Sequence, residues 1–314
     1  MSNVTYVTAL YNIYENKGNM TSERLMRDVK ILLKQKFNLV FYVDDFYFNY
    51  LKNLELNKNT LLIRMPLENI TIYNNIMRNE VELPPHRNME KDTKEYMALM
   101  NSKIEFIFRS LNLCSTPYMA WIDAGINKIF TDKEKVFTTL NQLNLDKLEN
   151  ILIPGAYQRK CNFVELTQGI WWIYLGGFFV CPRNQVLPFF QNCLFTINKF
   201  LLQKKLAWEV NVWVEMNNIF NNSALQNIAS NSALQNISSH SALQNITGRS
   251  TDQNITSNST DQNISSHSAL QNISNNIFVD GAFRNSKFFY WYEADHKDSI
   301  ILNIPKHLCT EIVK

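Results

Sequence analysis

The sequence predicts an α/β domain built on a mostly parallel sheet, and three observations carry that expectation. Short apolar runs alternate with helix-period segments over the first half of the chain. The run Tyr118-Met119-Ala120-Trp121-Ile122 is bounded by Pro117 and Gly125 and ends in Asp123, as a strand buried on both faces does when it delivers one charge to the sheet edge. The chain has 314 residues, of which 46% are hydrophobic, enough for one domain of about 250 residues plus an insertion.

The elements follow in order. Residues 3–13 form the first strand candidate. The helical pattern of residues 22–36 places Leu25, Val29, Ile31, Leu32 and Leu33 on or near one face. Residues 38–43 supply a second strand ending at Asp44-Asp45, and residues 61–65 a third that stops at Pro66. A long helix is expected to begin near Asp92, which stands in capping-box spacing with Glu95. Its core stripe is Met97, Met100, Ile104, Ile107, Phe108 and Leu111, with Lys103 beside it. Residues 151–154 are a short strand candidate. Residues 170–180 read as a strand pair, or as one strand bent at Gly176-Gly177, because glycines inside an apolar run mark a close approach of backbone or ligand. A helix over residues 185–206 leads into Trp208-Glu209-Val210-Asn211-Val212-Trp213.

From Ser223 the composition changes. Six nine-residue units begin at Ser223, Ser232, Ser241, Ser250, Ser259 and Ser268, in most copies as Ser-Ala-Leu-Gln-Asn-Ile. Nine residues are two and a half helical turns, so successive Ile side chains would face opposite ways on a helix. The Ser250 and Ser259 units carry Thr-Asp in place of Ala-Leu, which suits a flexible tandem expansion better than a stacked solenoid. Apolar patterning returns with Phe288-Phe289-Tyr290-Trp291-Tyr292. The expected organisation is therefore one domain, residues 1–220 with 278–314, interrupted by a nonapeptide-repeat insertion at 221–277.

Charge and cysteine usage narrow the partners. A net charge of +3 from scattered basic residues does not favour nucleic acid. The N-terminus lacks the basic and apolar regions of a signal peptide, and the five cysteines (Cys114, Cys161, Cys181, Cys193, Cys309) show no CxxC spacing. Free thiols in a reducing cytoplasm are expected.

Four groups of residues carry candidate chemistry. A strand-end carboxylate such as Asp123 calls for a metal, a cation or donor hydrogen bonds, or else caps the following loop. Glu209, between Trp208 and Trp213, would stand at a partly dry wall that raises its basicity; it reads equally as a surface acid beside two core rings. Asp295-His296-x-Asp298 is either a hydrogen-bonded turn or a cluster of metal ligands. Lys103, on the helix leading to the Asp123 strand, either meets a phosphate or the Asp123 region, or snorkels.

Six ordered blocks resemble the bacterial HtrL/YibB-like family of glycosyltransferases, which is linked to cell-surface polysaccharides and has relatives in lipooligosaccharide and capsule loci. They are Lys91-Asp92-Thr93 through Tyr96-Met97 to Asn101-Ser102-Lys103; Ala120-Trp121-Ile122-Asp123-x-Gly125; Ile153-Pro154-Gly155; Gly176-Gly177-Phe178-Phe179; Trp208 to Trp213; and Ala294-Asp295-His296-x-Asp298. Together they cover most of the chain outside the repeats.

The resemblance implies a GT-A-like (Rossmann-like) fold and a hexosyltransferase-like enzyme. Such an enzyme moves a sugar from a nucleotide-diphosphate donor to a glycan or lipid-linked glycan acceptor, in the cytoplasm or peripherally at a membrane surface. It implies a divalent metal, Mn²⁺ or Mg²⁺, on Asp123 and His296; a nucleotide site formed by Thr8, Ala9 and Tyr11 with Lys103 and Asn101; Glu209 as acceptor base with Glu215 as a weaker candidate; and an acceptor side of Gly176, Gly177, Trp208, Trp213 and Asp298. The chain departs from the usual Asp-x-Asp, because position 125 is glycine. A catalytically silent glycan-binding protein that keeps the fold is the alternative.

Overall fold

The computed structural model describes residues 3–13, 22–130, 132–143, 145, 148–155, 159–221 and 289–293. The chain divides into two compact units, residues 1–217 with 287–314 and residues 218–286. The six repeats, His296 and Asp298 lie outside the described residues.

In chain order the elements are β1 Val4–Leu10, α1 Ser22–Leu33, β2 Asn38–Val43, α2 Asp45–Leu51, β3 Thr60–Arg64, α3 Thr71–Arg78, α4 Lys94–Asn101, α5 Lys103–Ser110, β4 Tyr118–Ile122, α6 Lys133–Asn141, β5 Ile151–Gly155, α7 Phe163–Leu166, β6 Phe178–Pro182, α8 Val186–Leu202, α9 Glu209–Asn221 and β7 Phe289–Glu293. The strands form one seven-stranded sheet in the order β3-β2-β1-β4-β6-β5-β7. β6 runs antiparallel to both β4 and β5, while the other pairings are parallel. Six strands therefore share one direction and β6 alone is reversed.

The mixed α/β architecture with a mostly parallel sheet follows from how the apolar runs are covered. On one face, Tyr6, Leu10, Phe41, Ala120, Ile122 and Val180 pack with Met26, Val29 and Leu32 of α1 and Val136, Phe137 and Leu140 of α6. On the other, Phe106 of α5 stacks on Trp121 at 6.0 Å and lies 5.2 Å from Tyr42, and Phe179 meets Phe189 of α8 and Trp213 of α9. Truncating a ring such as Phe106 to Ala would cost about 3–5 kcal/mol.

Three expectations are corrected in this description. The long helix from Asp92 is two helices. Thr93 caps α4, its side chain accepting from Tyr96 N, while Asp92 instead accepts from Asn88 N. The helix breaks at Ser102, whose hydroxyl donates back to Ala98 O at 2.8 Å, so Lys103 opens a new helix. Residues 170–177 are not strand; they approach the sheet through a single bridge from Tyr174 to Gly155, and β6 starts only at Phe178. α8 spans Val186–Leu202 and so stops short of the expected end at residue 206.

β1, β2 and β3 progress in one direction across the sheet and β4 returns to the opposite side of β1. This reversal makes the carboxyl ends of β1 and β4 a topological switch point, the place where open α/β sheets bind ligands. Tyr11 follows β1 and Asp123 follows β4 at that edge. Because β6 is reversed, its leading residues, Gly176-Gly177, arrive at the same edge, with Ile122 opposite Phe178 in the register.

Candidate functional site

At this edge a buried lysine joins residues from three parts of the chain. Lys103 is 2% exposed, and its ammonium lies 2.8 Å from Gly176 O, 2.9 Å from Glu209 Oε1 and 3.1 Å from Asp123 Oδ1. An ammonium has three donors, and all three are spent here. Burial works against its charge, but the Asp123 and Glu209 carboxylates outweigh it and hold Lys103 above the ordinary lysine pKa. Lys103 therefore braces the site and does not face a donor phosphate, which is a correction to the role the resemblance implies for it.

Asp123 is held from several sides. Its backbone N–H donates to Gly177 O at 2.9 Å, and its Oδ1 accepts from the Trp121 indole at 2.6 Å as well as from Lys103. Oδ2 has no hydrogen-bond partner among the described residues, and the side chain is 38% exposed. Glu209 is the first residue of α9, where a carboxylate is favoured by the helix N-terminus. Glu209 is buried, 7% exposed, and its carboxylate faces the Lys103 ammonium. Oε2 of Glu209, like Oδ2 of Asp123, accepts no hydrogen bond among the described residues. One ammonium against two carboxylates leaves the cluster a formal charge of −1.

Gly176 is required by close approach, and Gly177 is not. A Cβ on Gly176 would collide with the Glu209 carboxylate, whereas one on Gly177 would lie 3.6 Å from Asp123 Oδ2 and Ile126, an ordinary contact. Asn101 is 4% exposed and its amide donates to Met97 O and Ala207 O, both at 2.9 Å. It fixes the turn that presents Glu209, with its amide donors spent on those two carbonyls. Asn211, two residues beyond Glu209, donates to Leu166 O and Gly169 O and accepts from Trp171 N, pinning residues 166–171 against α9.

The remaining expected site residues separate. Thr8 is fully buried inside the sheet with Oγ1 unpartnered among the described residues, and Ala9 is half-buried, so the β1 end does not offer the wall expected of residues 8–11. Tyr11 packs on Phe106, and its buried hydroxyl also has no partner among the described residues. Trp208 and Trp213 are core residues, the latter packed on Phe179 and Phe189, and cannot stack on an acceptor. Glu215 is buried on α9 and ion-paired to Lys199 at 2.5 Å. The exposed indole near this edge is Trp172, four residues before Gly176 and 45% exposed; its neighbour Trp171 is held by Glu165 O and lies under Arg159. Sequence reasoning missed Trp172, Asn211 and Glu105. The last is buried and caps α3 by accepting from Thr71 N and Ile72 N, both at 2.8 Å, while binding Arg109. The i,i+4 spacing of Glu105 and Arg109 was the available signal.

For the divalent ion that the resemblance implies, the fit rests on Asp123. No group of three metal-ligating side chains occurs among the described residues. The cluster's charge of −1 and the open Oδ2 suit a cation, with one ligand from the described residues.

No known family profile matches the sequence, and no curated protein matches it. Solved structures do overlap parts of it. The bifunctional IspDF from Campylobacter jejuni aligns at 10% identity and TM-score 0.30 over 61% of this chain and 43% of its own, so this chain spans less than half of that protein. Mouse xyloside xylosyltransferase 1 in its apo form aligns at 9% identity and TM-score 0.34, covering 67% and 80%. Overlap this loose bears on neither ancestry nor chemistry.

Proposed function

We propose that this protein is a glycosyltransferase that moves a sugar from a nucleotide-diphosphate donor to a cell-surface glycan, acting at the switch point between the ends of β1 and β4. The observation that carries the reading is the Lys103-centred cluster, which holds Asp123 at the carboxyl edge of β4 with one oxygen open. Keeping an ammonium and two carboxylates at a sheet edge costs several kcal/mol of desolvation, which favours a chemical role over a stabilising one.

In this reading Asp123 and the turn Gly176-Gly177 form the floor under the donor diphosphate. A divalent ion held by Asp123 Oδ2, with His296 as second ligand, would supply Lewis-acid stabilisation of the leaving diphosphate. Lys103 fixes the direction of Asp123 and keeps Glu209 within the same hydrogen-bonded unit. Glu209 Oε2 is the group that accepts the proton of the attacking hydroxyl. Trp172 takes the acceptor-side place that Trp208 and Trp213 vacate, because an exposed indole face complements the C–H edge of a sugar ring.

A panel of nucleotide-sugars, read by released nucleotide with and without added Mn²⁺ or Mg²⁺, tests this function. Turnover of one donor supports transfer. Glycan binding without turnover of any donor supports the silent binding protein.

A further inference from the structure

Among the described side chains, the outer face formed by α1 and α2 carries three cations, Arg27, Lys30 and Lys34, that no carboxylate pairs. Arg27, Lys30 and Lys34 stand at i, i+3 and i+7 on the exposed side of α1 and its last turn. With Met26, Ile31 and Tyr50 they line an open groove of about 380 Å³. Lys30 Nζ lies 5.5 Å from the centre of the Tyr50 ring. Phe46 and Tyr50, one turn apart on α2, are 52% and 47% exposed.

Three nearby carboxylates with described side chains are committed elsewhere. Asp28 is buried and accepts from Asn127. Asp44 caps α2 through Tyr47 N and also accepts from Asn12 N, and Asp45 is bound by Arg64. Glu55, beyond α2, is exposed and stands between Lys52 and Lys58 in the chain. None of Arg27, Lys30 and Lys34 makes an ion pair among the described residues.

A groove with an apolar floor, a cationic rim and two exposed rings on one side matches the layering of a lipid surface, with phosphates at the rim and rings at the acyl boundary. A soluble polyanion would satisfy the cations and leave Phe46 and Tyr50 in water. We propose that the α1–α2 face docks this protein on an anionic lipid bilayer, with Arg27, Lys30 and Lys34 at the headgroup phosphates and Phe46 and Tyr50 at the interface. No described helix is long and apolar enough to cross a membrane, so the contact is peripheral. The inference does not depend on the transferase reading.

Co-sedimentation of the full chain with phosphatidylcholine vesicles, and with mixed phosphatidylcholine and phosphatidylglycerol vesicles, is the test. Binding to the anionic vesicles alone is expected, weakening as salt is raised. Each interfacial cation contributes about fivefold, so Lys30→Gln with Lys34→Gln should lower partitioning by roughly 25-fold. Phe46→Ser should weaken binding while leaving its salt dependence in place. All three positions are exposed, and circular dichroism checks that the variants stay folded. Equal binding to neutral vesicles, no binding to anionic vesicles, or unchanged partitioning of the double variant would overturn the proposal. So would competition by inorganic polyphosphate in a protein whose binding Phe46→Ser does not affect.

Discussion

The Lys103 ammonium lies 2.9 Å from Glu209 Oε1 although 106 residues separate the two in the chain. The pair joins the start of α5 to the start of α9 underneath the sheet edge, and the Gly176 carbonyl and Asp123 complete it. Removing one partner of a buried pair leaves an uncompensated charge, whereas removing both charges does not.

Lys103→Met should therefore destabilise the fold by about 3–5 kcal/mol. Adding Glu209→Gln to it should restore part of that loss, since the stranded buried carboxylate is gone. Urea unfolding of the two single variants and the double variant measures the coupling. Additive losses would show that the pair is not an energetic unit.

Asp123→Asn should preserve the fold, because the amide oxygen still accepts from the Trp121 indole and Lys103. It removes the charge that the open Oδ2 carries. Donor turnover should fall by about 10²-fold or more, the usual size of an electrostatic contribution to leaving-group departure. Near-normal turnover would exclude Asp123 from the reaction.

Gly176→Ala should cost about 1–3 kcal/mol, lowering the melting midpoint by several degrees, because its methyl group would occupy the space of the Glu209 carboxylate. Gly177→Ala should cost less, its methyl group meeting neighbours at 3.6 Å or beyond. Thermal melts of the two variants side by side check the order.

Stability should decline steeply on the alkaline side. The two carboxylates raise the Lys103 pKa against the opposing effect of burial, and burial pushes the Tyr42 phenol up to about 12, with Tyr6, Tyr11 and Tyr174 also raised. Each group holds its proton to higher pH in the folded chain than in the unfolded one. The stability this confers is complete below the unfolded values near 10 and is lost as pH rises through the folded ones. The urea midpoint should fall between about pH 10 and 12, and a midpoint constant across that window would contradict the assignment.

Much of the sheet was legible in the chain. Residues 38–43 and the Tyr118 to Ile122 run are strands because continuous apolar residues flanked by polar ones can be buried on both faces only in a covered sheet. The break at Ser102 was not legible, since the apolar stripe continues from Met97 to Ile107 on either side of it and periodicity does not record a lost hydrogen bond. Trp208 and Trp213 illustrate the same limit for the site. An aromatic residue has the same local signature in a core as at a ligand, and here the packing of α9 on Phe179 and Phe189 assigns it to the core.

By itself the sequence determined the alternation of strands and helices, the placement of Asp123 at a strand end and the close approach at the Gly176-Gly177 segment. Each depends on local chemistry: apolar continuity, one charge ending an apolar run, and glycines within a packed segment. Only the tertiary structure decided which charges meet. The Lys103 cluster depends on the reversal of β6, which carries Gly176 to the end of β4, and on the Asn101 hydrogen bond to Ala207 O, which sets Glu209 at the start of α9. Those are long-range constraints of strand direction and helix position, and no window of sequence around any one of the residues contains them.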